Sequence, residues 1–123
     1  MKTIHTAKAP EAIGPYSQAI VHGGLLFTSG QIAINPASGP VEADTIEGQT
    51  EQVMKNLAAL LEEAGASFDS VIKTTCFLSD MADFAAFNAI YGAYFVSKPA
   101  RSCVAAKQLP KNVLVEVELI AAV

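Results

Sequence analysis

Between residues 44 and 64 the apolar positions Ile46, Val53, Met54, Leu57, Leu60, Leu61 and Ala64 fall on one face of a 3.6-residue period, which predicts an amphipathic helix. Asp44 is placed to cap it, with Glu47 three residues on as in a capping box, and Gly65 supplies a stop. Upstream the pattern is β-rich. Residues 17–22 and 25–29 flank Gly23-Gly24, which predicts two strands joined by a tight hairpin. Asn35-Pro36-Ala37-Ser38-Gly39-Pro40 carries loop chemistry. Downstream, residues 70–79 are rich in β-branched and aromatic side chains and predict a strand. Asp80 then opens a second helix with Phe84, Phe87, Tyr91 and Phe95 at helical spacing, a stripe that marks a core face more often than a ligand box. Lys98-Pro99 closes it. Residues 101–107 and 113–121 read as strands, joined by a turn at Leu109-Pro110-Lys111-Asn112.

The order ββ-α-β-α-ββ predicts one α+β domain over residues 1–123, with a single mixed sheet and both helices on one face. The other face of such a sheet lacks cover. If it is apolar, it needs another copy of the chain.

Composition narrows the function classes. Apolar residues make up 51% of the 123, enough for a packed core. No apolar run reaches the roughly 18–20 residues of a membrane span, and the first residues lack a signal-peptide core, so a cytoplasmic protein is expected. Cys76 and Cys103 form no CxxC pair and read as reduced thiols; with only His5 and His22 beside them, no zinc ligand set is present. The net charge of −4 and 8 Lys+Arg disfavour a nucleic-acid partner. A small organic anion is a different matter, because one well-placed arginine outweighs net charge.

Four motifs exceed what core packing asks for. Gly14-Pro15-Tyr16-Ser17 sets a bend that projects Tyr16 at the mouth of a strand. In Thr28-Ser29-Gly30-Gln31, the glycine permits close backbone approach to a ligand or marks a bulge. In Pro99-Ala100-Arg101-Ser102-Cys103, Arg101 opens an apolar strand on the same face as Cys103; its guanidinium suits a carboxylate held by two parallel bonds, or a salt bridge. In Val115-Glu116-Val117-Glu118, the two glutamates share a face with Leu114 and Ile120, where desolvation or a partner sets their protonation for general acid/base work; either also serves as an ordinary surface residue. No nucleophile motif competes.

Taken together, Ile13-Gly14-Pro15-Tyr16-Ser17-Gln18-Ala19, Thr28-Ser29-Gly30-Gln31-Ile32, Asn35-Pro36, Lys73-Thr74-Thr75, Phe87-Asn88-Ala89-Ile90-Tyr91, Pro99-Ala100-Arg101-Ser102-Cys103 and Leu109-Pro110 followed by Val115-Glu116-Val117-Glu118 closely resemble the YjgF/RidA family of reactive-intermediate deaminases. The motifs span nearly the whole chain in family order. The resemblance implies a chorismate-mutase-like fold and a homotrimer whose sheets close into a central barrel, with active sites in the clefts between subunits. It implies hydrolysis of 2-iminobutanoate and 2-iminopropanoate to 2-oxo acids and ammonia, without a cofactor. Carried over, the essential arginine falls on Arg101 and the water-handling glutamate on Glu116. Tyr16, Ser29, Gly30, Asn88 and Cys103 match positions that line or support the cleft. One departure stands out: the loop before Pro99-Ala100-Arg101 is short, and Lys98 occupies the place of an aromatic residue. Two other readings compete, a non-catalytic module that senses small carboxylates and an RNA-acting or holdase protein.

Overall fold

The computed structural model describes residues 1–123. Six strands form one mixed sheet: β1 (Lys2–Ile4), β2 (Ala19–His22), β3 (Leu25–Thr28), β4 (Val71–Leu78), β5 (Ala100–Ala105) and β6 (Val115–Ala122). Their spatial order is β1-β2-β3-β6-β4-β5. Every neighbouring pair is antiparallel except β4 and β5, which run parallel. A parallel pair needs a crossover, and α2 (Phe84–Tyr94) supplies it. The other helix, α1 (Ile46–Glu63), connects β3 to β4.

Period two sorts the sheet into two faces. Val115, Val117, Leu119 and Ala121 of β6 are fully buried, as are Cys76 and Leu78 of β4, while the residues between them are only half-buried. The buried set meets Val53, Met54, Leu57, Leu60 and Leu61 of α1 and Phe87, Tyr91 and Phe95 at α2. The opposite face carries no helix. There Phe27 lies exposed beside Glu118 and Lys73, and Val104 is exposed on β5 next to Phe77. The expected two-helix, one-sheet arrangement is therefore present, including the apolar positions on the uncovered face.

Local details depart from expectation. Thr45, not Asp44, caps α1: its Oγ1 accepts from the Gly48 N–H at 3.1 Å, and the first turn starts at Ile46. Asp80 caps a short 3₁₀ turn, Met81–Asp83, which leads into α2. The chain leaves α2 at Tyr94, earlier than Lys98-Pro99 suggests, and Lys98 takes a φ of 57° as its N–H donates to Phe95 O. Strand β1 escapes the pattern because three residues are too few to show a period. It exists because Ile4 is buried against the core and pairs with Ala19.

Candidate active site

Tyr16, Ser29, Gly30 and Glu116 line one concavity of about 600 Å³, together with Gln18, Gln31, Glu11 and Lys111. The bend before Tyr16 rests on Gly14, whose φ of 132° favours glycine, and the Tyr16 N–H donates back to Gly14 O at 2.9 Å. Ser29 is tied to the same segment: its N–H donates to Gln18 O and its Oγ to Ser17 O. Beyond β3 the register slips. Phe27 faces Ile120 and Gln31 faces Val117, which is four steps on one side against three on the other. The extra residue makes a β-bulge, which kinks the strand away from the ladder. The missing side chain there leaves room for one particular group. A Cβ on Gly30 would overlap Glu116 Oε2 and lie 2.8 Å from Glu116 Cδ. The carboxylate occupies the space a side chain at residue 30 would need.

Sequence reasoning missed the groups that hold this wall. Gln18 is buried, and its Nε2 donates to the carbonyls of Thr6, Ala9 and Pro10 while its Oε1 accepts from the Thr6 N–H. Asn56 of α1 reaches out with its Nδ2 to Ile32 O and Ile34 O. The clue was present: buried-type positions occupied by carboxamides, which must find partners. Burial raises the Glu116 pKa above the usual carboxylate range, and the neighbouring Glu118 charge adds to the rise.

Arg101 and Asn88 line a second concavity of about 440 Å³ with Tyr91, Gly92, Phe95, Val96, Lys98 and Pro99. Arg101 Nη1 donates to Asn88 Oδ1 at 2.6 Å. The guanidinium carbon stands 4.7 Å from the Tyr91 ring centroid and 5.4 Å from that of Phe84. Tyr91 is fixed in turn by a 2.7 Å hydrogen bond between its hydroxyl and Thr74 Oγ1. The aromatic stripe thus serves the core, as its spacing predicts, and also floors the arginine. The ion pairs in the structure are His5–Glu11 and Lys8–Glu62, so the Arg101 charge has no carboxylate partner within its own chain. Cys103 follows Arg101 on the same face, in register with Cys76. Burial pushes both thiols up, Cys76 to about 12, which disfavours the thiolate form.

The two concavities open on opposite faces of the sheet. Thr74 is the in-register neighbour of both Arg101 and Leu119, so Arg101 projects to the helix side with them. Glu116 lies an odd number of residues from Leu119 and projects the other way. Arg101 and Glu116 therefore do not meet within one chain. No group of three or more His, Cys, Asp or Glu residues is placed to hold a metal ion, and no helix is long and apolar enough to cross a membrane.

Comparison with known proteins fits this architecture. The family model for Endoribonuclease L-PSP matches residues 6–123. AldR of Lactococcus lactis, named as a regulator, is 57% identical over 100% of this chain and 98% of its own. The 2-iminobutanoate/2-iminopropanoate deaminase of Escherichia coli is 47% identical over 98% of this chain and 96% of its own. The crystal structure of Escherichia coli TdcF with bound serine superposes with a TM-score of 0.94 at 41% identity, covering 100% of this chain and 99% of TdcF. A model match over nearly all the chain, with relatives this similar in sequence and shape, means that the protein belongs to the Endoribonuclease L-PSP family, the YjgF/RidA family whose motifs it carries.

Proposed function

We propose that this protein hydrolyses 2-imino acids such as 2-iminobutanoate and 2-iminopropanoate to 2-oxo acids and ammonia, at sites completed between copies of the chain. The observation that carries the reading is the pair of half-sites. An arginine without a carboxylate partner lines one concavity, a desolvated glutamate lines the other, and the sheet separates them. A substrate of about six or seven heavy atoms cannot touch both in one chain. A second copy must bring its Glu116 to the first copy's Arg101. The exposed Phe27 and Val104 on the uncovered face give copies a reason to associate. We assign a homotrimer with those faces turned inward as a central barrel, each residue 1–123 chain acting as one domain.

In the proposed reaction Arg101 binds the substrate carboxylate through two charge-assisted bonds, worth roughly 1.5–3 kcal/mol. Asn88 and the Cys103 segment hold that end. Tyr16, Ser29 and the Gly30 backbone line the opposite wall. Ionised Glu116 takes a proton from water as the oxygen adds to the carbon of the protonated imine, C=NH2+, and the C=N electron pair moves to nitrogen to give the neutral amino group. Glu116 returns its proton to the carbinolamine nitrogen, the C–N bond breaks as ammonia leaves, and the hydroxyl oxygen forms the C=O of the 2-oxo acid as its own proton passes to Glu116 or water. No cofactor enters. Imine hydrolysis is fast in water, so orientation and one general base suffice. The deaminase relative and the serine-bound TdcF support this reading, since serine carries the same carboxylate.

The test is loss of imine in a coupled assay in which an amino acid oxidase generates 2-iminobutanoate and semicarbazide traps what remains. The wild-type protein accelerates the loss; Arg101→Ala abolishes the acceleration while circular dichroism stays unchanged. Equal rates for the two proteins would refute the role of Arg101. The regulator name of AldR favours a second reading, a carboxylate sensor built on the same arginine. Binding of 2-oxobutanoate without any acceleration of imine loss would select it.

A further inference from the structure

The concavity beside Arg101 has an unusual charge balance. The chain carries 12 Asp+Glu against 8 Lys+Arg, yet this lining holds two cations, Lys98 and Arg101, and no acid. Lys111, which lines the other concavity, differs in having Glu11 and Glu116 there with it. Lys98 makes no ion pair. It sits in the left-handed region, φ 57°, where L side chains are uncommon and glycine or asparagine is the easier choice. The turn anchors it through Lys98 N–H to Phe95 O at 3.1 Å. A strained lysine at the rim of a carboxylate-binding hollow points toward a ligand with a second negative charge.

The lining from α2 adds an independent observation. Gly92 lies inside α2, where alanine is the better helix former. Close packing does not require it, because no atom lies within 4 Å of where its Cβ would stand. It lines the hollow with Asn88 and Phe95, is exposed, and adds no side-chain bulk there. Space for a side chain and a cation at the rim coincide.

We propose that Lys98 forms a second anion subsite beside Arg101 and selects 2-imino acids whose side chain ends in a carboxylate, the four- and five-carbon 2-imino dicarboxylates. This rests on the reading that Arg101 holds the α-carboxylate. Arg101 takes that group, the chain of the substrate runs over Gly92, and the distal carboxylate meets the Lys98 ammonium. The hydrolysis itself is unchanged: water adds, ammonia leaves, and a 2-oxo dicarboxylate is released.

The experiment compares kcat/KM for 2-iminosuccinate, made from D-aspartate by D-aspartate oxidase, with that for 2-iminobutanoate, made from D-2-aminobutyrate by D-amino acid oxidase. In the wild-type protein the dicarboxylate is preferred. Lys98→Met lowers the dicarboxylate-to-monocarboxylate ratio about five-fold, the scale of one solvent-exposed ion pair, and Lys98→Arg keeps it. High salt shrinks the difference between wild type and Lys98→Met. A ratio that Lys98→Met leaves unchanged overturns the subsite while the deaminase reading stands. Calorimetry with 2-oxoglutarate and 2-oxobutanoate separates the opposite failure. If no imine is hydrolysed but 2-oxoglutarate binds more tightly and Lys98→Met erases the advantage, the deaminase reading falls and the subsite stands. Equal binding of both acids to wild type and variant overturns it.

Discussion

Glu116 lies against backbone that carboxamides hold in place, while Arg101 lies against rings. The glutamate lies against the Gly30 bulge, and the bulge is backed by Gln18 and Asn56, whose side chains bond main-chain carbonyls on neighbouring segments. The arginine instead rests on Tyr91 and Phe84 and takes its direction from Asn88. The difference follows from what each group needs. A general base, the role proposed for Glu116, gains from partial desolvation and from a backbone wall that fixes its position. A guanidinium that stays charged needs its face covered and its edge free, which aromatic rings provide without competing for its donors. One half is therefore sensitive to a single added methyl group, and the other tolerates substitutions that preserve a flat apolar surface.

The largest effect comes from separating the halves. Arg101→Ala and Glu116→Gln are each inactive alone. Refolded together in equal amounts, they recover about a quarter of wild-type activity if each site draws its arginine and glutamate from different chains, because half the sites keep each group. Sites built within one chain recover nothing. Imine-loss rates of the mixture, against each variant refolded alone, decide between the two arrangements.

That separation also marks where sequence reading stops. Alternation along β6 places Glu116 and Glu118 on one face, and alternation along β5 places Arg101 with Cys103; both are correct. Neither shows which face of β5 matches which face of β6. That parity depends on β4 lying between them and on its register with each, a tertiary fact. Gly30 is similar. A glycine at a strand end announces close approach, but the partner is 86 residues away and only the bulge register identifies Glu116. Helix α1 was legible to within two residues because seven apolar positions repeat over it, whereas its cap was misread because Asp44 and Thr45 are both good caps and packing chose between them. Tyr91 was legible as core. Its second duty under Arg101 was not, since stacking requires the crossover to bring α2 over β5.

The next effect sharpens the backbone side. Gly30→Ala puts a methyl group where Glu116 Oε2 now lies, and the flexible carboxylate yields. Activity falls about a hundred-fold or more, the share of a general base, while the melting temperature changes little because the displaced atoms are a side-chain end. A variant that keeps full activity would place the catalytic carboxylate elsewhere. Gln18→Ala acts in the reverse sense. It strips four hydrogen bonds from the buried wall and costs about 2–4 kcal/mol in urea unfolding, with a smaller effect on the rate of the folded enzyme. Unfolding midpoints that match the wild type would show that water replaces the amide freely.

The smallest effect is a shift along the pH axis. Burial is the main cause of the raised Glu116 pKa and the Glu118 charge the second, so Glu118→Gln lowers that pKa whatever a second copy adds to the cavity. In the proposed reaction Glu116 must be ionised to accept a proton from water. The acid limb of kcat/KM therefore moves to lower pH in Glu118→Gln, with the plateau unchanged. Stability carries the opposite signature. A carboxyl group whose folded pKa is raised favours the folded state below its unfolded pKa, and that contribution is lost as pH rises through the folded value. Glu116→Gln accordingly raises the melting temperature by a few degrees at most at pH 7 and leaves it unchanged near pH 4. Arg101→Gln, on the face built of rings, changes the rate without moving that pH dependence of stability. An acid limb that stays in place in Glu118→Gln would mean that Glu116 is not the group whose ionisation the reaction needs.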